Sequence, residues 1–256
     1  MYCKRNIVNR CGIINFARIN RKKYVFATRM EKAYFNWSSG KDSALALYRA
    51  VMSGLYDVRA LFSVVKTDGR LAMHEVGEAL LRRQADAIGI PFHPFHIDTS
   101  WTHAEYAACM SKAVGRFKAQ GIATALFGDL YLDGLRRWRK ANCRQDGIRA
   151  EFPLWHVEPM DAVNEFIRLG FKAVITCVDS SVFDESFVGR TINEGFISDL
   201  PAGMDACGEQ GEYHSFVYDG PLFRRPVDFK VKGRYCREFE GNAAGGVAKY
   251  CNLDLE

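Results

Sequence analysis

The stretch YFNWSSGKDSALALYRAV, Tyr34 to Val51, joins a short apolar run to an amphipathic one through two serines, a glycine, a lysine, an aspartate and a third serine. Ala33–Trp37 has the apolar, aromatic character of a strand. The spacing predicts a helix over Ser43–Met52, stopped at Gly54. A crowd of small and charged groups at such a junction has two readings. One is a strand–turn–helix corner in which an Asp or Ser caps the helix. The other is an anion cradle. Gly40 lets the backbone approach a ligand, Ser38, Ser39 and Ser43 offer hydroxyls, and the helix presents its positive end. Lys41 adds a point charge suited to phosphate oxygens. Asp42 suits a cradle only if it caps the helix or holds a metal ion that bridges phosphates. The local residues leave both readings open.

Downstream, apolar runs alternate with amphipathic ones. Strands are expected at Val58–Lys66, Phe92–Ile97 and Ala123–Gly128, and helices at His74–Ile88, Ala104–Lys118 and Leu132–Ala141. Alternation of this length implies βαβ units and a parallel sheet covered on both faces by helices, with ligands bound beyond the carboxyl ends of its strands. From about Glu151 the texture changes. A β-like FPLW (152–155), a helix at Met160–Leu169 and a strand at Ala173–Val178 precede a Gly-, Asp- and aromatic-rich region, Asp199 to Phe223. The expected fold is α/β, a Rossmann-like parallel sheet in residues 30–150, with a smaller C-terminal α+β lobe in residues 151–256 that binds substrate.

Hydrophobic residues make up 48% and charged residues 25%, as in an ordinary globular protein, and 256 residues suffice for one good core with an appended lobe. The net charge of +5 is local. Residues 1–29 carry eight Lys and Arg and no acid; removing those eight from 35 leaves 27 basic against 30 acidic residues. A mildly acidic body makes nucleic acid an unfavoured partner. The leader lacks an apolar run of secretory length, and no later stretch is long enough to span a bilayer, so no membrane partner is expected. Met30 reads as the natural start, with residues 1–29 a disordered arm or not part of the native chain. The eight cysteines show no C-x-x-C pair, which argues against a zinc or thioredoxin-like site and for reduced thiols in a cytoplasmic protein.

Two further motifs carry chemistry. In LFGDLYLDGLRRWRKANC (126–143), Gly128 and Asp129 end a parallel strand on the ligand side, and Arg136 and Arg137 open a helix face able to clamp an anion. A solvated basic helix face is the plainer account of those arginines. In GEQGEYHSFVYDGPLF (208–223), Glu209, Glu212 and His214 fall within six residues. They suit acid–base work or capture of an amine; the plainer account is a polar, solvated approach to a strand.

SSGKDS after an apolar strand resembles the S-G-G-K-D-S loop of the N-type ATP pyrophosphatases (the PP-loop), which cleave ATP between the α- and β-phosphates. Ser39 stands where that pattern usually has glycine. With GDLYLDGLRRW, FPLW, DSSVFDESFVGR, DACGEQGEYHSFVYDGP and the closing YCNLDL in this order, the chain from Met30 onward resembles the diphthine–ammonia ligase family. Lys140 departs from that pattern, which has a glutamate there. The resemblance implies an adenine nucleotide alpha hydrolase-like fold and ATP-dependent amidation: a carboxylate is adenylated, pyrophosphate leaves, and ammonia displaces AMP. It implies ATP and Mg²⁺ as cofactors. Ser38, Ser39, Gly40, Lys41, Asp42 and Ser43 would hold the phosphates, with Asp42 placing the metal, while Gly128 and Asp129 would line the adenylate site. Arg136 would meet the substrate carboxylate, and Glu209, Glu212 and His214 would receive ammonium or its proton. The carboxylate is either protein-borne diphthine or a small molecule, such as a corrinoid in vitamin B12 salvage. A homodimer is compatible with this reading. A PP-loop tRNA-modifying enzyme and a non-enzymatic nucleotide sensor compete with it. The acidic body and unpaired cysteines weigh against the first, and the retained Lys41, Asp42 and Asp129 against the second.

Overall fold

The computed structural model describes residues 30–71, 74–240 and 247–256. The expectation for residues 1–29 lies outside them.

The first half runs β1 (Glu31–Asn36), α1 (Lys41–Met52), β2 (Tyr56–Lys66), α2 (Glu78–Ile88), β3 (Phe92–Ile97), α3 (His103–Ala119), β4 (Thr124–Leu126), α4 (Asp133–Gln145) and β5 (Arg149–Glu151). The five strands form one parallel sheet in the order β3-β2-β1-β4-β5. Strand order reverses between β1 and β4, so their carboxyl ends flank the crevice where α/β sheets bind ligands.

Period-two alternation explains why helices cover both faces. Along β1, Ala33 and Phe35 enter one core while Tyr34 enters another; along β2, Leu61 and Val65 part in the same way from Ala60 and Phe62. The second core is closed by Val114 and Phe117 of α3 and Cys143 of α4, with Tyr34 stacked on Phe117 at 4.7 Å between centroids. α3 begins at a capping box, in which Thr102 accepts from the Glu105 N–H and the Glu105 carboxylate accepts from the Thr102 N–H.

The second half comprises α5 (Pro159–Arg168), β6 (Lys172–Asp179), α6 (Glu194–Ser198), β7 (Tyr213–Asp219), β8 (Val231–Glu240) and β9 (Val247–Leu255). Its four strands form an antiparallel sheet in the order β7-β6-β9-β8. The fold is therefore a Rossmann-like parallel α/β sheet with a smaller α+β lobe. The lobes share one apolar core: Leu45 and Leu47 of α1 belong to the same buried cluster as Phe166, Ile175 and Phe216. Among the described residues no helix is long and apolar enough to cross a membrane.

Three local expectations differ. FPLW is a turn, not a strand: Trp155 N donates to Phe152 O at 3.1 Å, Pro153 has no N–H to give a ladder, and the strand is the preceding β5. Residues 74–77 do not join α2: Glu75 is left-handed (φ 58°) and Gly77 bridges Arg70, so helical geometry begins only at Glu78. Cys236 and Cys251, expected as thiols, are bonded to each other. They stand directly opposite in the β8–β9 ladder, a proximity that a separation of 15 residues does not reveal.

Candidate active site

The loop after β1 is not a corner capped by Asp42 or by one of its own serines. The N-cap of α1 is Gly40, in extended conformation (φ −88°, ψ 176°), and no side chain caps the helix. Neither Asp42 nor a serine of the loop caps α1; the side chain that meets its first N–H, that of Lys41, is Ser215 of the smaller lobe. The serines hold the loop instead: Ser43 Oγ accepts from Ser38 N at 3.1 Å and from Ser38 Oγ at 3.0 Å. Ser39 lies wholly buried in the left-handed region (φ 68°), its hydroxyl without a hydrogen-bond partner.

The smaller lobe closes against the loop. Val217 N of β7 donates to Ser39 O at 2.9 Å, and Ser215 Oγ accepts from Lys41 N at 3.1 Å. A Cβ on Gly40 would stand 3.2 Å from Ser215 O, and one on Gly128 would stand 3.2 Å from the Asp42 carbonyl carbon and Ser43 N. Glycine at both positions lets β7 and the end of β4 close on the start of α1. Behind the loop, wholly buried Gln84 of α2 accepts from Trp37 Nε1 (2.8 Å) and donates to Ser39 O (3.1 Å) and Val217 O (2.6 Å).

A cavity of about 180 Å³ opens at this junction. Of the residues expected from sequence, Ser38, Gly40, Lys41, Asp42, Ser43, Gly128, Asp129, Glu209 and His214 line it. Lys41 is buried, with Nζ donating to Asp42 Oδ2 (2.8 Å) and Cys207 O and lying 4.6 Å from the Tyr213 ring centroid. Burial alone would depress its pKa; the Asp42 carboxylate overrides this and holds it well above the ordinary lysine value. Asp129 ion-pairs with Arg139 (Nε to Oδ2 2.7 Å), whose guanidinium lies 4.6 Å from the Phe127 ring centroid. Burial raises the Asp129 pKa against that pairing. Glu209 accepts from Leu130 N at 2.9 Å through Oε1. Its pKa is pushed up to about 7, first by burial and then by the charges of Asp42 and Asp129, with the Leu130 N–H opposing. Burial and the nearby Lys41 ammonium lower that of His214 to about 4.

Three expected residues lie elsewhere. The Ser39 side chain is packed beneath the loop. Arg136 faces away from the cavity, its guanidinium carbon 4.3 Å from the Trp155 ring centroid and 5.6 Å from that of Phe152. Glu212, which accepts from Gln210 N at 2.9 Å, lines a second and wider cavity of about 750 Å³ with Tyr131, His156, Glu158, Met204 and Asp205. Asp205 braces the wall between the two: it accepts from Tyr131 OH (2.6 Å), Glu209 N (2.9 Å) and Cys207 N (2.8 Å). Sequence reasoning missed Arg139, His74, Gln84, Asp205 and Ser215. Arg139 alone had a local signal, since Leu132, Leu135 and Arg139 at i, i+3 and i+7 share the helix face that lines the cavity.

The family model described as the diphthamide synthase N-terminal domain matches residues 31–150, and that described as the diphthamide synthase C-terminal domain matches residues 158–247. Diphthine–ammonia ligases of Rattus norvegicus and Homo sapiens are each 24% identical over 246 residues, spanning 86% of this chain and 90% of the relative. That of Schizosaccharomyces pombe is 22% identical over 214 residues, 74% of this chain and 34% of the relative. Among solved structures, the U34-tRNA thiolase NcsA from Methanococcus maripaludis with its 4Fe-4S cluster aligns at a TM-score of 0.35 and 14% identity, over 55% of this chain and 57% of that one.

Proposed function

This chain belongs to the diphthamide synthase family, and on that premise we propose that it is an ATP-dependent ligase that joins ammonia to a carboxylate, releasing AMP and pyrophosphate. The observation that carries the reading is the start of α1, whose N-cap Gly40 brings no capping side chain, cradled by Ser38, Gly40, Lys41 and Ser43 and facing Asp129 and Glu209 across one cavity. It suits a polyphosphate held by a helix N-terminus, a buried ammonium group and hydroxyls.

A carboxylate oxygen attacks the α-phosphorus, the bond from that phosphorus to the bridging oxygen breaks, and pyrophosphate leaves on the cradle. Ammonia then attacks the acyl carbon, the acyl–phosphate bond breaks, and AMP departs. Lys41 and the start of α1 offset charge on the leaving pyrophosphate. The hard carboxylate oxygens of Asp42, set among Asp129 and Glu209, fit Mg²⁺, which would supply further charge neutralisation there. Gly128 and Asp129 line the adenylate side, Asp129 held by Arg139. Glu209 is the group best suited to take a proton from ammonium, because its pKa of about 7 matches neutral pH, whereas His214 at about 4 is too weak a base. Residues 30–150 then serve as the nucleotide domain and 151–256 as the acceptor lobe. The cavity beside Glu212 receives the acceptor, a protein-borne diphthine or a small carboxylate.

ATP labelled at the α- or the γ-phosphate, incubated with ammonium and candidate carboxylates, tests this. Labelled AMP and pyrophosphate are expected; ADP and orthophosphate would overturn it.

A further inference from the structure

We propose that His74 and His214 complete the phosphate cradle, with His74 Nδ1 donating a hydrogen bond to the terminal phosphate of ATP and to the pyrophosphate derived from it. This rests on the nucleotide reading above.

Both imidazoles line the cavity that also holds Ser38, Gly40, Lys41 and Ser43. His214 sits one residue before Ser215, whose side chain and carbonyl meet the loop at Lys41 and Gly40. The His74 ring packs on His214 with centroids 4.3 Å apart. His74 Nδ1 is buried and has no hydrogen-bond partner, although buried polar atoms in folded proteins are nearly always paired. Leaving such an atom unpaired costs stability, which a ligand atom bonded to it would restore. The Lys41 ammonium and the start of α1, lining the same cavity, favour an anion as the atom's partner. Burial, the His214 imidazole and Lys41 keep the His74 pKa well below the ordinary histidine value, so the ring is neutral. A neutral imidazole carries one N–H and can present it at Nδ1. A cavity of about 180 Å³ is small beside the roughly 300–1,000 Å³ of common ligand pockets, which suits phosphate groups better than a whole nucleotide.

The test is isothermal titration of the full chain, in Mg²⁺ buffer, with inorganic pyrophosphate and separately with AMP. His74→Ala is expected to weaken pyrophosphate binding about 10-fold or more, the scale of a hydrogen bond to a charged group, and to leave AMP binding within 2-fold. His74→Asn, whose amide N–H falls near the position of Nδ1, is expected to recover most of the loss. Equal weakening toward both ligands would mean that His74 only supports the fold, and would overturn the proposal. So would pyrophosphate affinity in His74→Ala within about 2-fold of the unaltered protein, the resolution of such a titration against the expected effect; the nucleotide reading would then stand alone. If the unaltered protein binds neither pyrophosphate nor AMP, both readings fall.

Discussion

Ser39→Gly should stabilise this protein, and the structure sets the size of the effect. Ser39 adopts φ 68°, a left-handed conformation that costs an L-residue about 1–2 kcal/mol and glycine almost nothing. Its buried hydroxyl has no hydrogen-bond partner, a further cost of about 1–3 kcal/mol. Against these, glycine adds about 0.5–1 kcal/mol of chain entropy to be lost on folding. It also forfeits one buried carbon, about 0.8 kcal/mol. The loop stays anchored, because Ser39 O keeps its bonds from Val217 N (2.9 Å) and Gln84 Nε2 (3.1 Å), neither of which involves the side chain. The balance at the midpoints of these ranges favours glycine by about 2 kcal/mol, equivalent to a rise in Tm of about 4–8 °C for a chain of this size. Differential scanning calorimetry and urea unfolding measure it. A fall in Tm would refute the reasoning, since the hydroxyl would then have to be bonded and the backbone unstrained.

Gln84→Leu keeps the volume but leaves Trp37 Nε1 and Val217 O without partners in the core, for a loss of about 2–5 kcal/mol in urea unfolding; a loss below about 0.5 kcal/mol would show that the amide does not tie the loop to β7. Glu209→Gln should lower amide formation while ATP binding persists, and should remove a limb of the rate profile that rises through about pH 7. An unchanged turnover and pH profile would sink the proton-acceptor role. The same variant should alter stability with a definite sign. Glu209 has a folded pKa raised above its unfolded value, so it favours folding below about pH 4.5 and loses that contribution as pH rises to about 7. Glu209→Gln should therefore flatten the stability curve between those values, read as Tm against pH.

Much of the fold was legible because its signals are local. Alternation along Ala33–Trp37 assigns Phe35 to one core and Tyr34 to the other without reference to anything distant. The loop of Ser38 to Ser43 is one run of residues at a strand–helix junction, and its spelling survives wherever the remainder packs. FPLW misled because its residues are apolar, whereas Pro153 and the bond from Trp155 N to Phe152 O shape it as a turn. Arg136 was the more natural choice for an anion clamp, yet three residues on, Arg139 faces the cavity. At 100° per residue, the orientation of α4 against Phe127 and Trp155 selects between them.

What the sequence determined by itself was the parallel sheet, the loop of Ser38 to Ser43 at a strand–helix junction and the run containing Glu209 and His214, each written in contiguous residues whose periodicity or chemistry needs no partner to be read. Tertiary structure decided how those pieces converge. It buried Gln84, a polar residue in a charged helix, under Ser39 and β7. It turned Glu209 toward Asp129 and Glu212 toward a different cavity. It set His74, 140 residues earlier in the chain, against His214. Distances between such groups depend on how β7 docks on α1 and α2, and docking is set by the whole shared core rather than by any one segment.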